Sequence, residues 1–453
     1  MPSAPMRLLL SMLVAALTLF VASGPAAAQI GLPGGGLPGR LPQTPGLPDL
    51  PSRLPDAGTV EGLARQGLAQ GLEAPSRLSG LIRRSGGALE ADPRGWPVVR
   101  NEVVAIDLTP EARRLALAAG FTVAREERLA ALDMSATVLV PPRGLSLSRA
   151  LERLRELDPG GGYEFNHVHA PAGALDDAGP PPPASSPPPV APQGEGGRMG
   201  LIDTGVDARH PAVAGARIIQ RGFSGEARAA PHGTAVASLM IGRSGAFSGA
   251  APGGELYAAD VYGGARAGGS STGLVQALAW MAENRVPVVN VSLVGPRNAV
   301  VEAAVRRATA RGMLIVAAVG NDGPAAPPLY PAAYPDVVGV TAVNGRGRVL
   351  PEAGRGPQVD FAAPGADMAA AGPGQGYVSV RGSSFASPLV AGLLARRLHR
   401  PDRGDAEAAI AAVARAADDA GARGPDPVYG RGLVAADRRV EPRSVGARGQ
   451  LTR

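Results

Sequence analysis

The 453-residue chain contains no lysine and no cysteine. Without lysine there is no P-loop lysine, no Schiff-base lysine and no S-x-x-K acyl-transfer site. Without cysteine, thiol nucleophiles, iron–sulfur clusters and thiolate zinc sites are excluded as well. The five histidines include no H-E-x-x-H, so a zincin is not indicated. Aromatic residues make up only 4% of the chain, and no patch interleaves them with arginine. The net charge of +6, carried by arginine alone, therefore does not point to nucleic acid.

No stretch reaches the 18 uninterrupted apolar residues of a membrane span. The mostly apolar run Leu8 to Val21 follows Arg7 and precedes the small residues Ser23 to Ala28. As a helix it would rise about 21 Å, short of a ~30 Å hydrocarbon core. Residues 1–28 are thus expected to be a cleaved export signal, and the product a periplasmic or extracellular protein rather than an integral membrane one.

Gly 63 and Pro 45 are about twice the usual share, yet 45% of residues are apolar. The excess is clustered. Residues 29–97 open as a Leu-Pro and Gly tether and become weakly helical; residues 171–197 contain Pro180 to Pro183 and Pro187 to Pro189 and read as a semi-rigid linker. Between them, 98–170 reads as a small α/β domain. It has strands at 103–106, 121–127, 136–140 and 163–169, and helices from Thr109-Pro110 and over 147–157. His167 and His169 share a face of the last strand, and with no third metal ligand in view they read as surface residues. From 198 to 438, apolar runs at 199–202, 255–259, 288–291, 314–319 and 337–343 alternate with helices. That pattern predicts an α/β fold with a mostly parallel central sheet covered on both faces. Residues 439–453 read as a tail.

Three segments at the ends of these elements carry chemistry. Asp203-Thr204-Gly205 follows a strand, His232-Gly233-Thr234 opens a helix, and Ser383-Ser384-Phe385-Ala386-Ser387-Pro388 opens another. Carboxyl ends of strands and amino ends of helices meet at one edge of an α/β sheet. An acid, a base and a hydroxyl can converge there: His232 would take the Ser384 proton and return it to a leaving group, while Asp203 holds the imidazole. Asn321 ends a strand where its amide could donate to an oxyanion.

With Gly200 to Asp207, His210-Pro211, His232-Gly233-Thr234, Asn290 to Leu293, Gly320-Asn321 and Gly382 to Pro388 in this order, the chain resembles the subtilisin-like serine proteases, the subtilase family. The resemblance covers about 198–438. It implies a subtilisin-like three-layer domain acting as a serine endopeptidase through an acyl-enzyme. Asp203, His232 and Ser384 would form the triad, Asn321 and the Ser384 N–H the oxyanion site. It also implies that Ser292, Leu293, Val294 and Gly295 pair with a peptide substrate as an added strand, with Gly268 and Gly269 near the second edge. Residues 98–170 resemble, more weakly, a subtilase propeptide, which would be the protein's own partner. A permanent accessory domain is the alternative. Ala235 stands where the family often carries another histidine, and Val294 where it often carries glycine.

Two other functions fit less well. An aspartic protease needs a second carboxylate motif, and only one D-T-G is present. A non-catalytic cell-envelope binding protein on the same scaffold would be expected to lose one of the four residues, and none is missing. No cofactor is required by this chemistry. Calcium is left open, but the loop 241–249 has no Asp, Asn or Glu and predicts no metal site there.

Overall fold

The computed structural model describes residues 78–172 and 196–452. The expected signal, the tether and most of the Pro-rich linker lie outside the described residues.

The first sheet is antiparallel, with strands β1 (Leu89–Ala91), β2 (Pro97–Ile106), β3 (Thr122–Leu129), β4 (Met134–Val140) and β5 (Gly162–His167). Their order is β1-β2-β4-β3, and β5 pairs with β2. Helices α1 (Pro110–Ala118) and α2 (Leu147–Leu157) belong to this unit. Thr109 accepts from the Ala112 N–H at 3.1 Å and Pro110 fills the first turn of α1, a good start for a helix. In α2, Leu147, Ala150, Leu151 and Leu154 recur at helical spacing and are buried with Val103, Ala105, Leu139 and Phe165. The other face of the sheet, with Val104, Ala136 and Val138, joins a second cluster built on later helices. Burial on both faces goes with the β-branched and apolar stretch Ala136 to Val140 in β4.

The unit starts earlier than residue 98, since β1 is already paired along β2. Its last strand also ends earlier than expected. β5 stops at His167, Val168 bridges to Ser270, and Ala170–Pro171 (β6) belongs to a different sheet. Residues 171 and 172 are therefore ordered backbone rather than linker.

The second unit is built on seven parallel strands: β7 (Arg198–Asp203), β8 (Arg217–Gly222), β11 (Glu255–Asp260), β12 (Val288–Val291), β14 (Leu314–Ala318), β15 (Val337–Val343) and β16 (Phe361–Pro364). Their order is β16-β15-β14-β12-β7-β11-β8. Between them run a short ribbon, β9 (Arg243–Ser244) and β10 (Phe247–Ser248), and the two-residue strand β13 (Leu293–Val294). One cluster joins the sheet to helices α3 (Pro231–Ile241) and α6 (Ser383–Ala395). The other joins it to α4 (Ser271–Glu283) and α5 (Ala299–Ala310). Covered on both faces, the strands need no alternation of apolar and polar residues, and β12, β14 and β15 are buried at every position.

The expected 198–438 boundary is too short. β17 (Ala366–Ala371) and β18 (Tyr377–Arg381) form an antiparallel pair, and Gln450–Thr452 (β19) adds to β18 in parallel. Residues 450–452 are thus tied into a sheet. A further helix, α7 (Arg403–Arg415), is capped by Asp402, whose carboxylate accepts from the Asp405 N–H at 3.0 Å.

The two units meet through a buried polar chain. The Asn298 side-chain oxygen accepts from Val300 N–H and Val301 N–H at the start of α5, so its amide nitrogen must donate, to the Phe165 carbonyl and to His167 Nδ1, both at 2.9 Å. His167 Nδ1 is therefore an acceptor, and its Nε2–H donates to Asp92 at 3.2 Å. Burial alone would raise the Asp92 carboxyl, but hydrogen bonds from His167 and from the Trp96 and Arg94 N–H groups hold it below its ordinary range.

Candidate active site

β7 lies in the interior of the parallel sheet and ends at Asp203, whose carboxylate oxygen Oδ1 accepts from the Thr204 N–H at 2.6 Å. His232 is the second residue of α3. A Cβ on Gly233 would fall on top of the Thr204 carbonyl oxygen, so only glycine lets the helix start this close to the strand end. The approach brings His232 Nδ1 to 2.7 Å from Asp203 Oδ1. Both residues are buried. With Nδ1–H donating to the carboxylate, Nε2 is left to take a proton.

Ser384 is the second residue of α6, after Gly382 at φ 135°, a conformation that L side chains rarely adopt. The ring of Phe385 sits 5.4 Å, centroid to centroid, from that of His232, so this turn borders the imidazole. Ser384 Oγ and His232 Nε2 are both buried, and neither has a hydrogen-bond partner. The two atoms are not hydrogen-bonded to each other in this structure.

Asn321 follows β14 and Gly320. Its side-chain oxygen accepts from the Ser383 N–H at 3.0 Å, while Gly320 N–H donates to Ser383 Oγ at 3.1 Å. That clamp turns the amide nitrogen outward, where it donates to the carbonyl of Ala172. A Cβ on Gly382 would stand 3.0 Å from this nitrogen and 3.7 Å from the Ala172 oxygen. Glycine at 382 leaves room for the Asn321 amide.

Residues 168–172 lie between two edges of the second unit. On one side β6 pairs antiparallel with β13, Leu293 opposite Pro171 and Val294 opposite Ala170, and the Ala172 N–H donates to the Ser292 carbonyl at 3.0 Å. On the other, the His169 N–H donates to the Gly269 carbonyl at 2.8 Å, and the Tyr262 hydroxyl donates to the His169 carbonyl at 2.8 Å. Gly268 makes no contact of this kind: its N–H donates to the Ala265 carbonyl and its bare α-carbon makes room for Tyr262. Gly295 pairs with Tyr330 and lies against the His169 ring.

The expectation that His167 and His169 are surface residues is wrong; both are fully buried. Their partners are remote in sequence, Asn298 for one and the cleft for the other. Neither ring nitrogen of His169 has a hydrogen-bond partner. Burial first, and then the nearby His167, push its pKa down to about 3. His210 is also buried, its Nε2 2.9 Å from the Gly376 carbonyl, whereas His399 is exposed.

Sequence reasoning missed Tyr262, Ser383 and Asn290. Asn290 donates to Ser292 Oγ at 2.8 Å, and that hydroxyl donates to the Ser384 carbonyl at 3.1 Å, tying the edge strand to the turn that bears Ser384. The Asn290-Val291-Ser292 and Ser383-Ser384 pairs were in view, but not which polar group served which. Among the described residues, no group of three His, Asp or Glu could hold a metal ion, and no helix is long and apolar enough to cross a membrane.

The Subtilase family model matches residues 194–432, just over half of the chain. M-protease from Shouchella clausii is 36% identical over 207 residues, covering 45% of this chain and 54% of that protein. Subtilisin Savinase from Lederbergia lenta is 36% identical over 207 residues and is covered over 76% of its length. The chain thus spans about half the length of M-protease and three quarters of Savinase. Among solved structures, fervidolysin from Fervidobacterium pennivorans, a keratinolytic enzyme related to subtilisin, superposes with a TM-score of 0.61 at 19% identity. That match covers 75% of this chain and 61% of fervidolysin, a larger share of this chain than residues 194–432 make up.

Proposed function

The chain belongs to the subtilase family, and from that premise we propose that it is an exported serine endopeptidase, made as a zymogen and cut by its own active site. One observation carries the reading: the carbonyl of Ala172 is held by Asn321 beside the turn that bears Ser384, next to the buried Asp203–His232 pair.

A substrate carbonyl takes the place of the Ala172 carbonyl. Ser384 Oγ attacks its carbon as His232 Nε2 accepts the hydroxyl proton; the carbonyl π electrons move to oxygen, which the Asn321 amide stabilises. Asp203 stabilises the imidazolium. Collapse of the tetrahedral species breaks the C–N bond, and His232 gives its proton to the leaving amine. Water then attacks the acyl-enzyme by the same route, releasing a carboxylate and restoring Ser384.

Asn321→Ala tests the oxyanion role. It should lower kcat on a peptide amide by about 10²- to 10³-fold with a smaller change in KM, because the lost hydrogen bond strengthens as charge develops. Unchanged kcat would remove Asn321 from the mechanism.

In this reading residues 78–172 inhibit the enzyme after the cut, and His169 makes the inhibition sensitive to acid. Bound, His169 stays neutral down to about pH 3; released, it takes a proton near its ordinary 6.5. The released state therefore binds more protons between those values, and the complex weakens as pH falls, by about tenfold per pH unit below 6.5. Going from pH 8 to pH 5 should raise the dissociation constant of the cut complex roughly thirtyfold. Size-exclusion binding measurements separate this effect from the enzyme's own pH profile. In His169→Phe the contribution should vanish; an unchanged slope would assign the acid sensitivity elsewhere.

The proposal places the enzyme outside the cytoplasm through residues 1–28, with peptides or proteins as its substrates. A fluorophosphonate probe that labels Ser384 in the parent chain, and nothing in Ser384→Ala, tests the enzyme assignment against a binding protein on the same scaffold.

A further inference from the structure

Two chain segments hold Ala172: the Ser292 carbonyl takes its N–H and the Asn321 amide its carbonyl. Further along the first edge, Gly295 pairs with Tyr330 through two hydrogen bonds of 2.9 and 3.0 Å. Leu329, the residue before Tyr330, is buried and reaches back to Gly320, where its Cδ1 stands 2.6 Å from the point a Cβ would take. Val294 Cγ1 lies 3.6 Å from the same point. Two branched side chains thus converge on the glycine that immediately precedes the oxyanion donor. The residue held there is an alanine, and it is itself buried.

We infer that Leu329 and Val294 fill the space beside the scissile carbonyl, so that the enzyme cuts after alanine or glycine and rejects large side chains at that position. This rests on the endopeptidase reading and narrows its substrates to polypeptides with small residues before the cut. The physical reason is packing. An alanine methyl adds little volume, whereas a phenyl ring would need space that Leu329 occupies, and a buried side chain anchored by a paired backbone yields little.

The test uses the full-length chain after its own processing, with two p-nitroanilides built on the residues it holds, succinyl-His-Ala-Pro-Ala and succinyl-His-Ala-Pro-Phe. The alanine peptide should have a kcat/KM at least about 100-fold above that of the phenylalanine peptide. Leu329→Gly should raise the ratio of kcat/KM on the phenylalanine peptide to that on the alanine peptide by about 100-fold. Val294→Gly, a change on the other wall, should give a smaller gain with the same sign. Equal cleavage of both peptides by the parent enzyme overturns the inference and needs no variant. In that case labelling of Ser384 by a fluorophosphonate leaves the endopeptidase reading standing. Cleavage of neither peptide together with no labelling defeats that reading and this inference with it.

Discussion

Ser384→Ala is expected to lower kcat for peptide amide hydrolysis by about 10⁶-fold and to leave the parallel-sheet unit folded. The size of the effect follows from how the groups depend on one another. His232 without a hydroxyl to deprotonate has no nucleophile to activate, and Asp203 then stabilises a charge that never forms, so losing Ser384 costs nearly as much as losing the set. What remains is the hydrogen bond from Asn321 and the binding of the peptide between its two edges. Folding should be spared because the hydroxyl has no hydrogen-bond partner to lose, and its removal leaves Phe385, Leu389 and Val390 in the core. Steady-state rates on a peptide amide, with circular dichroism to follow the fold, provide the check. A purified variant that keeps the parent rate would take the nucleophile's role from Ser384.

The elements that position this residue were largely legible in the sequence because they answer to local rules. Val288–Val291 and Val337–Val343 are runs of β-branched and small residues bounded by turns, and the structure has strands with those same limits. The helix over Leu147–Leu157 followed from its leucine spacing. Elements without a local signal were not read. Ala366–Ala371, with four alanines, favours helix by propensity, yet forms a strand because β18 pairs with it and it packs against α3. Residues 450–452 read as a tail because nothing within them shows that β18 lies alongside.

The same division runs through the candidate site. Asp203, His232, Ser384 and Asn321 stand in short motifs whose glycines serve close approaches, so their neighbours in sequence betray them. His167 and His169 carry no such context. Asn298, which explains the burial of His167, lies 131 residues away. A two-residue pairing such as Ala170–Pro171 with Leu293–Val294 is too short to leave a periodicity. The departure at Val294 was visible, but its convergence with Leu329 on Gly320 required the fold.

The full-length parent chain, once exported, is expected to break at the Ala172–Gly173 bond, and Ser384→Ala is expected to stay intact there. The bond is singled out by three contacts: Ala172 N–H on Ser292, the Ala172 carbonyl on Asn321, and the β6–β13 pairing that fixes the register of the two. Shifting the register by one residue would put the Pro171 nitrogen, which has no N–H, opposite the Ser292 carbonyl and lose that hydrogen bond. Cleavage should therefore fall at one bond rather than across a range, and intact-mass analysis should give a fragment ending at Ala172. The two pieces should remain associated at neutral pH, because the sheet of residues 89–167 still packs on α4 and α5 and His167 still bridges Asp92 and Asn298. While the fragment stays, the cleft is filled by product and activity should be low; activity should rise in step with its removal. A mature enzyme beginning elsewhere, or full activity with residues 78–172 still joined to the rest, would defeat the zymogen reading and leave the chemistry of Ser384 untouched. Processing of Ser384→Ala at the same bond when mixed with parent enzyme would mean that the cut can be made between molecules, since the inactive chain presents the same bond but cannot open it.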